Sequence, residues 1–203
     1  MIETILVFLP LAGSLIAGVM VLATVGADKE FKHKMDLASQ IVTCGMMLMT
    51  AVLAVVIFVD VGLNGNARTT ELFTWIASGS FELSWALKVD SLTSVMMIVV
   101  CVVSAMVHVY SIGYMHHDPS VPRFMCYLSL FTFMMLMLIT ADNLVQMFFG
   151  WEGVGLASYL LIGFWYKKPS ANAAAIKAFV VNRVGDFGFG LGIFATFLLF
   201  DTV

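Results

Sequence analysis

The sequence predicts an all-α polytopic membrane protein with six transmembrane helices, and composition, six apolar runs and the placement of basic residues support that prediction. Of 203 residues, 61% are hydrophobic and 11% are charged, and the mean hydropathy is +1.00. Soluble domains are far more polar than this. Each apolar run has about the 17–25 residues that a spanning helix needs, with tilt in the longer ones. The runs cover residues 5–25, 37–59, 91–115, 123–139, 144–166 and 172–200.

The basic residues then predict the orientation of these helices. Six lysines and arginines fall in loops on one side and two on the other, with the sides strictly alternating. Because cytoplasmic loops are enriched in Lys and Arg, the N-terminus is expected outside. The first set is Lys29, Lys32, Lys34, Arg123, Lys167 and Lys168, and the second is Arg68 and Lys88.

The one long outer loop, at about residues 60–88, has a β-rich composition. Residues 72–76 and 81–87 are rich in aromatic and β-branched side chains, and residues 77–80 have a turn composition. We expect a β-hairpin on the outer face, with Trp75 and Trp85 in the headgroup layer. A plain interfacial loop is the alternative.

Short turns and the N-terminal run give two further expectations. The turn at 140–143 is so short that the fourth and fifth helices must be antiparallel neighbours, with Asp142 or Asn143 capping the fifth. Residues 1–25 are not expected to be a signal peptide, because they carry Glu3 in place of a basic start and their apolar run is too long.

Several classes of cofactor and ligand are not expected in this chain. The three cysteines lie in apolar runs without CxxC or Cys/His spacing, which favours packing over metal or disulfide roles. We also find neither a glycine-rich phosphate loop nor a nucleic-acid-binding pattern. The sequence therefore predicts no nicotinamide, flavin, iron–sulfur cluster or metal in this chain.

Glu152 is the only Asp, Glu, Lys, Arg or His residue between Leu144 and Trp165. A rise of ~1.5 Å per residue puts it on the order of 13 Å below the outer end of its helix. A carboxylate at that depth is expensive and usually marks an ion path or proton relay. Glycines at 150, 153 and 155 would let a partner backbone approach it closely. The alternative is a protonated carboxyl that only hydrogen-bonds between helices.

The sixth run carries charges of both signs at a matching depth. Arg183 and Asp186 lie roughly 17 and 21 Å along it, three residues apart on one face, and can pair with each other. Lys177 lies nearly opposite Asp186, on a stripe of small residues that predicts a close helix–helix contact. Either these groups take part in proton movement, or Arg183 and Asp186 form a neutral structural pair.

His108 is a further candidate, in the third run with Ser104, Ser111 and Tyr114 nearby in sequence. It is either a satisfied core histidine or part of a polar path near the cytoplasmic end.

Three segments resemble the antiporter-like membrane subunits of respiratory complex I. They are residues 87–93, residues 141–163 with the run Gly-Trp-Glu-Gly around Glu152, and residues 177–186. The resemblance is strongest from Leu87 to Asp186, and the form of the sequence around Glu152 is similar to that of the distal of these subunits.

The resemblance implies a proton-translocating subunit of NADH:quinone oxidoreductase in the bacterial inner membrane, with a partial antiporter-like fold. It implies a proton path through Glu152, with Asp186 and Arg183 at positions that match functional ones. We add Lys177 to this path as a candidate because of its charge on the sixth run. The subunit's partners would be the other membrane subunits, especially the neighbouring antiporter-like one, and the lipid bilayer. FMN, iron–sulfur clusters, NADH and quinone would be used in other subunits.

Family members have about a dozen or more helices, so the chain is expected to be truncated at residue 203. Residues 1–115 would be three leading helices with the hairpin loop, and residues 116–203 helices 4–6, the first three of the proton-translocating repeat. Two other readings remain open: the large subunit of a multisubunit Na⁺/H⁺ antiporter, and a scaffold that conducts nothing.

Overall fold

The computed structural model describes residues 1–78, 81–200 and 202, and its helices agree closely with the apolar runs. Six of the described helices are long and apolar enough to span a membrane. A six-residue π-helical segment, Phe58–Leu63, continues the second helix. The helices are α1 Ile2–Ala23, α2 Lys29–Ile57, α3 Ser91–Tyr114, α4 Val121–Ile139, α5 Leu144–Ile162 and α6 Pro169–Phe200, and the strands are β1 Arg68–Ser78 and β2 Phe81–Val89.

The start of α2 differs from the prediction. We expected the helix from residue 37 and its lysines in a loop, but the helix begins at Lys29. In these lysine-rich turns Lys34 pairs with Glu30 four residues earlier, at 2.7 Å, which supports the helix modestly. Hydropathy alone placed the start of the helix too late because these turns are polar. The lysines still lie at the same end of the helix, so the predicted orientation is unaffected.

The β-hairpin is present and extends beyond the predicted strands. β1 and β2 pair antiparallel, from Arg68 opposite Val89 to Ser78 opposite Phe81, with two irregularities in register. Residues 79 and 80 of the predicted turn lie outside the described residues. Trp75 and Trp85 contact each other edge-on, with ring centroids 4.6 Å apart.

The hairpin is fastened to the turn between α4 and α5. The backbone N–H of Lys88 donates to the Thr140 carbonyl at 2.9 Å. The buried Gln146 amide accepts from the Ala86 N–H at 3.1 Å and donates to the Ala86 carbonyl at 2.8 Å. Asn143 caps α5 through the Gln146 N–H at 2.8 Å, so it is the cap of the two that the sequence allowed. This docking fixes the outer end of α5.

Arg68 forms an ion cluster at the same end, which sequence reasoning did not find. Its guanidinium donates to Glu3 of α1 and to Asp60 of the π-helical segment. Glu3 is only 2% exposed, and it also binds the N-terminal ammonium at 2.9 Å. Hydrogen bonding to Asp60, followed by contact with Glu3, raises the pKa of Arg68 above its usual value. The cluster ties the first two helices to the hairpin.

The apolar core lies among α1–α4, and α6 is peripheral. Fully buried side chains such as Leu6, Ala54, Met97 and Leu136 form one cluster beneath the hairpin. In the described chain α5 packs on α4, and α6 packs chiefly on α5. The interface between α5 and α6 therefore forms one edge of the bundle.

Candidate functional site

Glu152 and Arg183 meet across the interface between α5 and α6. The Arg183 Nη1 atom donates to Glu152 Oε1 at 2.6 Å and lies 2.5 Å from Oε2. The Glu152 side chain is 22% exposed, whereas that of Arg183 is 49% exposed. One guanidinium thus faces both oxygens of the only carboxylate on α5.

An aromatic ring also contacts the guanidinium. The Arg183 Cζ atom lies 4.8 Å from the centroid of Phe179, one turn earlier on α6. Phe179 in turn contacts Tyr159 of α5, with centroids 5.4 Å apart. A cation over an aromatic face is stabilised by the ring quadrupole, so Arg183 has a second favourable contact besides Glu152.

Asp186 binds Trp151, and the expected pair between Asp186 and Arg183 is absent from the ion pairs of the described residues. The Trp151 Nε1 atom donates to Asp186 Oδ1 at 2.8 Å. The longer Arg183 side chain reaches across to α5, where Glu152 offers two oxygens. The sequence-based pairing of Arg183 with Asp186 is therefore corrected, because Arg183 pairs with Glu152.

The two carboxylates and the guanidinium form one electrostatic cluster. Asp186 is only 7% exposed and lies close enough to Glu152 to interact with it. With both acids ionised the cluster carries a net charge of about −1, so it can accept one proton and become neutral. Such a cluster at membrane depth has the chemistry of a proton-binding site.

Gly150 places α5 tightly against α4. A Cβ atom at this position would lie 2.6 Å from both Cα and N of Leu138, a contact with backbone that cannot yield. The close approach predicted around Glu152 is therefore present at Gly150. Gly155 is looser, with Asn182 of α6 3.7 Å from its added Cβ.

Lys177 lies outside this cluster. It is exposed, and no ion pair involves it among the residues that the structure describes. The small-residue stripe on its face of α6 meets no neighbour: nothing lies within 4 Å of a Cβ added at Gly185, Gly188 or Gly192. Within the described chain, the helix contact predicted for this stripe is absent.

His108 is fully buried between α3 and α4, in a separate polar cluster. Its Nε2 atom lies 3.0 Å from Ser129 Oγ, and its Nδ1 atom lies 2.8 Å from the Ser104 carbonyl. Ser104 and Thr132 hydroxyls are 2.5 Å apart. Since both ring nitrogens have partners here, the described contacts fit a satisfied core histidine and do not link it to Glu152.

Trp151 is the residue of this site that sequence reasoning missed. A signal was available, because tryptophan concentrates at membrane interfaces and Trp151 instead lies beside Glu152 in the middle of an apolar run. A polar N–H at that depth needs an acceptor, and Asp186 is the acidic group at a matching depth.

Two family models match the chain. One is described as NADH-ubiquinone oxidoreductase (complex I), chain 5 N-terminus, and matches residues 75–125. The other is described as NADH:quinone oxidoreductase/Mrp antiporter, TM, and matches residues 141–203. Glu152, Lys177, Arg183 and Asp186 all fall within the second match.

Curated relatives are similar over nearly the whole chain. NADH-quinone oxidoreductase subunit L of Rhodobacter capsulatus is 51% identical over 98% of this chain and 27% of its own length. NADH-ubiquinone oxidoreductase chain 5 of Triticum aestivum is 51% identical over 98% of this chain and 28% of its own. The chain thus spans about a quarter of the length of the relatives that it matches.

A solved structure shares the fold. A chain of the membrane-bound sulfane sulfur reductase, an archaeal respiratory membrane complex, superposes with a TM-score of 0.75 at 17% identity, covering 98% of this chain and 38% of that one. At that identity the likeness shows the arrangement of helices alone, and that arrangement agrees with the predicted six-helix membrane fold.

Proposed function

Because this chain belongs to the family of antiporter-like membrane subunits that includes NADH-quinone oxidoreductase subunit L and NADH-ubiquinone oxidoreductase chain 5, we propose that it contributes a proton path to an NADH:quinone oxidoreductase. It is a multi-pass protein of the inner membrane, and we assign it to the bacterial one. The observation that supports the path most strongly is the contact between Glu152 and Arg183 at 2.5 Å.

We divide the chain by role. Residues 1–115 supply three leading helices and the hairpin, and residues 116–203 supply helices 4–6, the first three of the proton-translocating repeat. Supporting this division, Glu152 and Arg183 both lie on the second part, while the hairpin only anchors the outer end of α5.

Glu152 is the proton carrier in this proposal, and Arg183 is a movable charge. A guanidinium stays protonated in proteins, so Arg183 cannot itself pass a proton on. While Arg183 contacts Glu152, it stabilises the carboxylate. When Arg183 moves away, an ionised carboxylate in this environment loses its compensating charge, and Glu152 takes up a proton. The return of Arg183 favours the carboxylate again and releases the proton.

Asp186 and Trp151 determine the remaining charge around Glu152. The indole N–H donates to the Asp186 carboxylate and holds this second negative charge near Glu152. That charge favours proton uptake once Arg183 leaves. Lys177 and His108 remain proposed members of the path, each outside the contacts of this cluster.

The redox chemistry is assigned to other subunits. NADH, FMN, iron–sulfur clusters and quinone would act there, and a shift of the neighbouring antiporter-like subunit would displace Arg183. This chain would bind lipid and other membrane subunits, and it would transfer no electrons itself.

A substitution at Glu152 tests the proposal in the assembled complex. Glu152→Gln should lower the ratio of protons pumped to electrons transferred from NADH, because the amide cannot bind a proton. Glu71→Gln is the matched control, since Glu71 is an exposed carboxylate on the hairpin. Native gels stained for NADH oxidation verify assembly. An unchanged ratio of protons pumped to electrons transferred in an assembled Glu152→Gln complex would contradict the proposal.

The second candidate is the large subunit of a multisubunit Na⁺/H⁺ antiporter. The description of the model matching residues 141–203 includes the Mrp antiporter, so the same helices serve both classes. The names of the 51% identical relatives favour the oxidoreductase. Sodium-driven proton exchange by an assembly without NADH oxidation would reverse that preference.

A further inference from the structure

A cavity at one membrane surface lies where α4 and α6 begin and α5 ends. Its volume is about 420 Å³, and its walls include Arg123, Tyr127, Tyr159, Tyr166, Asn172 and Ile176. α4 begins at Val121, α5 ends at Ile162 and α6 begins at Pro169, so the cavity lies at the level of the lipid headgroups. It is separate from the cluster around Glu152.

Within the described part of the chain, the Arg123 guanidinium in this cavity has no anionic partner. Its Nη2 atom donates to the Phe164 carbonyl at 3.1 Å, and its Cζ atom lies 4.5 Å from the Phe164 ring centroid and 5.2 Å from that of Tyr166. Its Nε atom is buried without a hydrogen-bond partner. Among the residues the structure describes, no carboxylate lies within 4 Å of Arg123.

The nearby acid and amide are already engaged. Asp118 accepts from Trp165 Nε1 and from the backbone N–H of Ser120, both at 2.9 Å. The Asn172 amide donates to the Tyr166 carbonyl at 2.6 Å. A buried N–H without a partner is costly. The Arg123 side chain as a whole is half-buried, so an anion from outside the described chain that enters the cavity can pair with this N–H and with the positive charge.

We propose that this cavity binds the phosphate of an anionic phospholipid, with Arg123 as its principal ligand. The planar guanidinium fork matches two phosphate oxygens, and phenolic hydroxyls of the lining tyrosines can donate to the others. Basic pockets between membrane helices near the surface are suited to anionic headgroups. Apolar wall residues such as Ile176 give the adjoining acyl chains a surface to contact.

Binding of phosphatidylglycerol to the intact assembly tests the proposal. The protein would be extracted in mild detergent, stripped of lipid and titrated with short-chain phosphatidylglycerol, phosphatidylcholine or inorganic phosphate, with bound species counted by native mass spectrometry. We expect tighter binding of phosphatidylglycerol than of phosphatidylcholine. Arg123→Gln should weaken phosphatidylglycerol binding about tenfold, because a charge-assisted hydrogen bond contributes about that factor.

Lys32→Gln is the control, since it removes an exposed charge from a helix end on the same side of the membrane. This substitution should leave phosphatidylglycerol binding in the Arg123 cavity unchanged. Arg123→Lys, which keeps the charge but loses the fork, should lie between wild type and Arg123→Gln, and it serves if Arg123→Gln fails to assemble. Equal binding of the two lipids to wild type, or equal loss in Lys32→Gln, would overturn the site. Displacement of the lipid by millimolar inorganic phosphate would assign the cavity to free phosphate instead.

Discussion

Replacing Arg183 by Gln perturbs the proposed carrier without touching its carboxyl. The change removes the guanidinium that lies 2.5 Å from Glu152 and leaves a shorter, uncharged polar side chain. If Arg183 controls the proton affinity of Glu152, its loss leaves Glu152 protonated throughout turnover. Proton pumping should then fall as it does in Glu152→Gln, although the Glu152 side chain is still present.

The size of the effect follows from the contact. Unit charges about 4 Å apart at an effective dielectric constant of about 20 interact by about 4 kcal/mol. Arg183 is 49% exposed, so solvent screening reduces this substantially. We take about 1–2 kcal/mol, which makes Glu152 hold its proton roughly 5–30-fold more tightly without Arg183.

The assay is a double-mutant cycle on the ratio of protons pumped to electrons transferred, in proteoliposomes oxidising NADH. Arg183→Gln, Glu152→Gln and the double variant should show similar losses, because both substitutions disable one carrier. Arg183→Lys, which retains the charge, should keep part of the activity. Losses that multiply in the double variant would refute the reasoning, as would normal pumping by Arg183→Gln.

Two further predictions concern Trp151 and the cap of α3. Trp151→Phe keeps an aromatic ring but removes the indole N–H that donates to the buried Asp186, so the pumping ratio should fall. Trp165→Phe, which alters a surface indole, should leave the ratio unchanged, and equal ratios in both variants would contradict a positioning role for Trp151. Asp90 caps α3 through the Thr93 N–H at 2.8 Å, and that bond holds the pKa of Asp90 below 3.8. The cap, worth about 1 kcal/mol, is therefore present above pH 3.8 and lost as the pH falls through the lowered value. Asp90→Asn caps without titrating, so its unfolding temperature should fall less than that of wild type between pH 6 and pH 3, and equal falls would contradict the assignment.

Hydropathy and local composition were sufficient to predict the helices and the hairpin. Six spans, the hairpin and the antiparallel turn between α4 and α5 are present, because each depends on composition within one segment. The exception was the start of α2 at Lys29, where helix-compatible but polar turns extend beyond the apolar run. Hydropathy measures the apolar run and not the helix.

The partners within the candidate site were only partly predictable. The depths of Glu152, Arg183 and Asp186 follow from residue counting, and that reasoning brought them to one level. Which side chain Arg183 contacts depends on how α5 and α6 rotate against each other, and the close packing at Gly150 helps to set that rotation. The relative rotation of α5 and α6 cannot be read from a single sequence.

The role of Arg123 was missed for the same reason. In the sequence it counted only as one more basic residue at a helix edge. The cavity around it is formed by residues from α4, α5, α6 and the connection between the last two, so it exists only after folding. The function of a charged residue at a helix end can be inferred only once its neighbours in the folded chain are known.

Infrared difference spectroscopy of the glutamate-labelled complex during turnover tests most directly whether Glu152 gains and loses a proton. With ¹³C-labelled glutamate, a protonated carboxyl band should appear and disappear as NADH is oxidised. The band should be missing from Glu152→Gln, and it should also be missing from Arg183→Gln, because a carboxyl that stays protonated gives no difference signal. A carboxyl signal that is unchanged in Glu152→Gln, or the absence of any such signal in an actively pumping wild-type complex, would contradict the account.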